Sequence, residues 1–211
     1  MHRASLLGLP FLCTGAALVV YLVSGVSLLL GIAVVVSLTG AAALLIRRRL
    51  PVELRMVVAA RVRWGAVAGV AATAAYDACR FVLVRLLDLQ FWPFDVFTRF
   101  GGLLVGQSTS PAVVMAVGTA YHYANGIGFA VAYALFVRRP GIVTGLLWAG
   151  ILELFMVSLY PGWLGLQAMN EFLGVSVVGH IVYGLVLGST TRILLRDDRL
   201  MEKRDVQPAT N

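Results

Sequence analysis

Four ionisable residues inside apolar segments are the strongest candidates for chemistry in this sequence. Asp77, His122, Glu153 and His180 each interrupt a long run of apolar residues. An ionisable group at the centre of a bilayer costs at least about 3 kcal/mol on insertion scales, so we expect a chain that keeps four of them to use them. Two imidazoles and two carboxylates could bind a divalent metal, or transfer protons without one.

A metal site is the first interpretation of this set. Imidazole nitrogen and carboxylate oxygen are usual ligands of Zn²⁺, Fe²⁺ and Mn²⁺, so the four residues are the predicted ligands. The sequence contains no His-x3-His or Glu-x2-His pair, so the prediction depends on separate helices converging. Helical spacing places Asn125 and Tyr183 one turn after a histidine, and Arg80 one turn after Asp77. These three residues are predicted to orient ligands or substrate.

Three other interpretations remain open. A haem could lie between His122 and His180, which are on parallel helices at matching depth. Metal-free acid–base chemistry could serve a lipid-modifying enzyme or a small proton-coupled carrier. In a purely structural interpretation, Asp77 pairs with Arg80, the histidines hydrogen-bond across helix interfaces, and the chain is a non-catalytic subunit of a larger complex.

The elements that must position these residues are membrane-spanning helices. The chain has 211 residues, of which 60% are hydrophobic and only 13% charged, which excludes an ordinary soluble domain and a disordered chain. Its two cysteines cannot form a disulfide scaffold. Because a bilayer core needs about 20 apolar residues in a helix, six stretches qualify as spans. They cover residues 6–23, 26–46, 64–87, 112–137, 141–160 and 173–195.

The basic residues predict the orientation of these spans. Most of the 17 lie on one side of a six-span arrangement, and basic loops stay in the cytoplasm. They are Arg3, Arg47, Arg48, Arg49, Arg55, Arg61, Arg63, Arg138, Arg139, Arg192, Arg196, Arg199, Lys203 and Arg204. Both termini are therefore predicted to be cytoplasmic, with the protein in the cell inner membrane. Since topology explains the net charge of +7, no nucleic-acid partner is needed. The preference for Arg over Lys indicates a GC-rich bacterial genome.

The last four spans resemble two copies of one helical hairpin. Aligning the third span with the fifth matches Gly65, Gly69 and Asp77 to Gly141, Gly145 and Glu153. Aligning the fourth with the sixth matches His122 and Gly126 to His180 and Gly184. An even number of spans separates the copies, so the repeat is parallel, and functional groups are expected near the repeat interface.

Helical spacing also puts the four ionisable residues at one depth. At about 1.5 Å of rise per residue, each lies about 18 to 22 Å from the cytoplasmic end of its span. Between the third and fourth spans, the aromatic residues 91–100 fit an interfacial segment at headgroup level. That segment is interpreted either as part of an aromatic belt or as a mobile cover that admits an amphiphile from the outer leaflet.

Together these patterns predict an all-α polytopic membrane protein with six transmembrane helices. The predicted parts are a peripheral hairpin (1–46), a basic cytoplasmic loop (47–63), a duplicated four-helix core (64–137 and 141–195) and a cytoplasmic tail (196–211). The predicted function is an intramembrane enzyme, metal-dependent, acting on a lipid or another hydrophobic small molecule. Its expected partners are membrane lipids and that substrate, and the sequence identifies no protein partner.

Overall fold

The computed structural model describes residues 5–106, 108–165 and 168–206, and their regular structure is entirely helical. A 3-10 segment, Leu6–Leu12, leads directly into the first of seven α-helices in this part of the chain. The helices are α1 (Cys13–Ser24), α2 (Leu28–Arg48), α3 (Val52–Leu86), α4 (Asp95–Val105), α5 (Pro111–Phe136), α6 (Ile142–Leu164) and α7 (Met169–Val206). Arg3 and residues 207–211, which entered the predicted topology and tail, lie outside the described residues.

Five of the described helical segments are long and apolar enough to cross a membrane, which indicates a multi-pass membrane protein. They are the continuous segment Leu6–Ser24, α2, α3, α6 and the portion Met169–Asp197 of α7. The remaining expected span is also a helix, α5, and its 26 residues have the required length. It is less apolar because it carries His122, Asn125 and several tyrosines. Much of α5 is buried among other helices, where such residues avoid lipid.

Two helices extend further than the apolar pattern predicts. The segment 47–63 was expected to be a loop, but α2 continues to Arg48 and α3 begins at Val52. Likewise α7 continues to Val206, so the described part of the expected tail is helical. Hydrophobicity marks where a chain enters the bilayer, whereas arginine favours a helix as well as most apolar residues do. A helix can therefore continue beyond the membrane.

The helices around the polar residues form an open ring. Within the ring, α3 packs along α5 on one side and along α7 on the other. α7 also packs along α6, whereas α5 and α6 make few contacts with each other. The order around the ring is therefore α5, α3, α7, α6, with a gap between its two ends. α1 lies beside this gap, and α2 packs mainly on α1 and on the 3-10 segment.

Glycines allow the ring helices to approach closely. A Cβ atom at Gly69 of α3 would lie 2.8 Å from the Cβ of Ala130 on α5. A Cβ atom at Gly145 of α6 would lie 2.9 Å from the Cα of Gly188 on α7. Real Cβ atoms do not come so close, so both interfaces require a residue without a side chain. Small residues of this kind are typical of packed membrane helices.

The aromatic segment after α3 is more deeply integrated than an interfacial loop. Part of it forms α4, which packs against α5. A Cβ atom at Gly101 would overlap the carbonyl oxygen of Val114, and one at Gly118 would overlap that of Phe97. This close approach brings the Phe97 ring onto His122, with 4.8 Å between ring centroids. The segment therefore forms one wall of the polar centre.

Candidate functional site

Asp77 of α3 and His122 of α5 form the first of two carboxylate–imidazole pairs. The Nε2 atom of His122 lies 3.0 Å from Oδ2 of Asp77 and 3.2 Å from Oδ1. Both side chains are largely buried. Because an ionised carboxylate can only accept hydrogen bonds, Nε2 is the ring nitrogen that carries the proton. Nδ1, the other ring nitrogen, is then the one that can accept a proton.

Glu153 of α6 and His180 of α7 form the second pair. The Nδ1 atom of His180 lies 2.8 Å from Oε2 of Glu153 and 3.1 Å from the carbonyl oxygen of Ser176. The Ser176 hydroxyl also donates to Oε2 of Glu153, at 2.6 Å. These contacts fix the orientation of the imidazole and place the proton on Nδ1. Nε2 of His180 is therefore the basic nitrogen, as in sites where a carboxylate orients a catalytic histidine.

The ring of Tyr76 joins the two pairs. It is stacked against His122, with 6.1 Å between centroids, and meets His180 edge to face at 4.9 Å. On its other side the Arg80 guanidinium lies over the ring, 4.5 Å from its centroid. Arg80 also bonds Oδ1 of Asp77 at 3.3 Å and donates to the Pro93 carbonyl at 2.8 Å. The first pair is thus tied to the outer segment, and the second is not.

Both imidazoles line one large cavity of about 810 Å³, the size of pocket that holds a drug-sized ligand. It occupies the gap between α5 and α6, with the side of α1 as a further wall. His122 and His180 contribute to its surface, whereas Asp77 and Glu153 stand behind them. Most of the remaining wall is aliphatic or aromatic. Both imidazoles therefore border an apolar, partly enclosed space.

The predicted supporting residues also lie in this wall. Asn125 is buried one turn from His122, and its Oδ1 has no hydrogen-bond partner among the described residues. Tyr183 is buried and donates its hydroxyl to the Gly126 carbonyl at 2.8 Å, which links α7 to α5. Arg80 lines the cavity while holding Asp77. All three predicted residues are thus in the site, and Tyr183 and Arg80 have partners within the protein.

The four predicted ligands come together as two pairs and not as one cluster. Within the described residues, no group of three or more His, Cys, Asp or Glu side chains is placed to hold a metal. A catalytic zinc site normally takes three protein ligands, and each pair here supplies two. Tyr76 packs against both histidines, where a haem shared by them would have to lie. The donor arrangement therefore fits neither cofactor as it stands.

The two hairpins make equivalent contacts at aligned positions. In each, the acidic residue of the first helix pairs with the histidine of the second. A Cβ atom at Gly126 would overlap the Thr73 hydroxyl, and one at the aligned Gly184 would lie 2.9 Å from the Cβ of Ala149. Thr73 and Ala149 are themselves aligned when Asp77 is matched to Glu153. The aligned positions of the two hairpins thus make corresponding contacts.

Sequence reasoning did not single out three residues of the site. Tyr76 was missed because a tyrosine in an apolar helix is unremarkable and lies about 100° around the helix from Asp77. Ser176 was missed because its bond to Glu153 crosses between helices and has no sequence signal. Phe97 was assigned to the headgroup level. The glycine pair Gly101 and Gly118 was a usable signal, since both permit close helix contact.

Long apolar helices around a buried polar centre define the chain as a helical, multi-pass membrane protein. More specifically, the chain belongs to a family of unknown function, DUF6789, which matches residues 59–201. The match begins within α3 and ends within α7, so it includes both carboxylate–imidazole pairs and leaves out α1 and α2. No curated protein and no solved structure matches the chain.

Proposed function

We propose that this protein is an intramembrane enzyme that transfers protons to and from a lipid or another hydrophobic substrate. The observation that carries the proposal is that two imidazoles, each oriented by a carboxylate, line the same apolar cavity. One imidazole can remove a proton from the substrate while the other returns one at a second atom. Such an isomerisation is balanced in atoms and electrons and needs no co-reactant.

The roles of individual atoms follow from the hydrogen bonds. Nε2 of His180 is the candidate base, because Glu153 holds the proton on Nδ1 and stabilises the imidazolium once it forms. His122, in its protonated form, is the candidate acid through Nδ1, with Asp77 stabilising the charge. Tyr76 separates the two imidazoles. The apolar wall limits access of water, which strengthens the hydrogen bond within each carboxylate–imidazole pair.

The membrane arrangement that we propose has six spans, with α5 as the span that the other helices shield from lipid. Both termini then lie in the cytoplasm, and the membrane is the inner membrane of a bacterial cell. The arginines near Arg48, the Arg138–Arg139 connection and the charged end of α7 support this orientation. The two hairpins are proposed to be a parallel repeat, supported by their matching contacts.

Metal dependence is a separate prediction. Two pairs of one imidazole and one carboxylate are a weaker metal site than a single group of four, so no step of the proposed reaction involves a metal. Elemental analysis of detergent-purified protein, wild type against His180→Ala, tests this part. A stoichiometric metal that the variant lacks would restore the original expectation of a metal enzyme.

Deuterium exchange tests the proposed function without knowledge of the substrate. The purified protein is incubated with a total bacterial lipid extract in D₂O, and the lipids are then analysed by mass spectrometry. We expect one lipid species to gain deuterium. Removal of a catalytic acid or base typically lowers a rate by about 10²- to 10⁴-fold, so His122→Asn and His180→Asn should lower the exchange rate by at least about a hundredfold.

Ser158→Ala is the matched control, because Ser158 is an exposed polar residue of α6 that does not line the cavity. It should exchange at the wild-type rate. Exchange that is absent in all four proteins would overturn the proposal. Proton flux into reconstituted vesicles that depends on His180 would instead indicate the carrier. Co-purification of a stoichiometric partner, with normal behaviour of His122→Ala, would indicate the non-catalytic subunit.

A further inference from the structure

The charges of the cavity wall are distributed unevenly. Apart from the two histidines, its charged residues are Arg80, Arg99 and Asp95. The two dyad carboxylates do not line the cavity, and Arg80 is already paired with Asp77 behind the wall. Arg99 forms no salt bridge among the described residues, so its guanidinium group is available to an anionic ligand. All three charged residues lie at the end of the cavity next to the outer segment.

Away from these charged residues the wall is largely apolar, and the cavity extends a long way along α6. Its lining on α6 runs from Trp148 to Leu164, positions 16 residues apart, which corresponds to about 24 Å of helix. Ile151 and Phe155 also contribute to this lining and are 51% and 58% exposed, so the cavity is not closed beside them. Ala16 of α1 is on the opposite wall, and α1 makes few contacts with α6. The side of the cavity between α1 and α6 is therefore the one that can open toward the bilayer.

From this arrangement we infer that the cavity binds an amphiphile with one long apolar chain and an anionic headgroup, which enters sideways from the outer leaflet. The inference rests on the proposed function, because it names the substrate class of the same site. The headgroup lies at Arg80 and Arg99, since guanidinium groups form strong charge-assisted hydrogen bonds to carboxylate and phosphate. The chain then passes the two histidines toward Trp148, so an atom of the chain is the one that reacts.

A fluorescent fatty acid tests this inference directly. Purified protein in a neutral detergent is titrated with cis-parinaric acid and with the corresponding alcohol, and energy transfer from tryptophan reports binding. The wild-type protein should bind the acid about tenfold more tightly than the alcohol, because a hydrogen bond to a charged group changes a dissociation constant by about that factor. Dodecyl phosphate should displace the acid, whereas inorganic phosphate at the same concentration should not.

Matched variants locate the headgroup and the entrance. Arg99→Gln should remove most of the preference for the acid, whereas Arg85→Gln should keep it, because Arg85 is exposed at the same end but does not line this cavity. Ala16→Phe should weaken binding of both probes, and Ala41→Phe on the exposed face of α2 should weaken neither. Arg99 and Ala16 are outside the catalytic pairs, so these variants are expected to fold.

Three outcomes would overturn the inference. They are equal affinities for acid and alcohol, equal effects of Arg99→Gln and Arg85→Gln, and displacement by inorganic phosphate as effective as by dodecyl phosphate. The proposed function fails separately. If the wild-type protein exchanges no deuterium while the wild-type and His180→Asn proteins both bind the acid, the proposed catalysis is wrong and the inferred lipid binding stands.

Discussion

Double-mutant cycles should reveal which acidic residue is coupled to which histidine. Glu153→Gln and His180→Gln, alone and together, measure the coupling within the second pair, and Asp77→Asn with His180→Gln measures a cross pair. Neutral hydrogen bonds between membrane helices average about 0.6 kcal/mol, and a charge-assisted bond is about twice as strong. The 2.8 Å contact between Glu153 and His180 should therefore contribute a coupling free energy of about 1 to 2 kcal/mol.

The cross pair is expected to show a coupling of less than about 0.5 kcal/mol, because Tyr76 lies between its members and no direct contact joins them. The free energy of unfolding is measured by titration with a denaturing detergent in mixed micelles, followed by circular dichroism. A coupling across the pairs as large as that within them would contradict the arrangement of two separate dyads. A shared metal ion would produce that result, since loss of any ligand would then affect all the others.

Three further predictions concern the same helices. Gly145→Leu should lower the free energy of unfolding by at least about 2 kcal/mol, because the new leucine side chain would meet the backbone of α7. Gly150→Leu on the same helix should change the midpoint of the detergent titration little, since the space around Gly150 is open. Tyr183→Phe should lower the free energy of unfolding by about 1 kcal/mol through loss of its bond to the Gly126 carbonyl, measured by the same titration. A fluorescent protein fused to the carboxyl terminus should be bright, because the proposed orientation places that terminus in the cytoplasm. A periplasmic phosphatase inserted at Gly106 should be active, because Gly106 is then on the opposite side. The reverse pattern would contradict the proposed orientation.

The identity of the polar residues could be predicted from the sequence, but their pairing could not. Asp77, His122, Glu153 and His180 stand out because the surrounding residues are apolar, and helical rise gives their depth. Depth is only one coordinate. The rotation of each helix and the order of helices around the ring decide which side chains meet, and neither follows from spacing. For the pairing, the proposed repeat was a usable signal, because it matches each acidic residue and each histidine to its counterpart, whereas Tyr76 is unremarkable in an apolar helix.

Helix boundaries show the same limit. The end of an apolar run marks the membrane surface, whereas a helix ends where its backbone is interrupted. Pro51 precedes α3, and Gly25 adopts a positive φ of 71° after α1, a conformation that glycine adopts without strain. Both residues were visible in the sequence. In the expected loop 47–63 the helical break is short, between Arg48 and Val52, and Pro51 is the residue that marks it.

A difference between the two hairpins coincides with the position of the cavity. Under the proposed repeat, Gly179 of α7 aligns with Tyr121 of α5. Gly179 lets α7 lie directly against α3, where its Cβ would be 2.8 Å from the Tyr76 ring. Tyr121 instead packs its ring on Phe100 and donates its hydroxyl to the Thr14 carbonyl of α1 at 2.7 Å. A tyrosine does not permit the approach that a glycine permits, and the interface between α5 and α6 is open where that between α3 and α7 is closed. The cavity lies in this open interface, and both imidazoles line it.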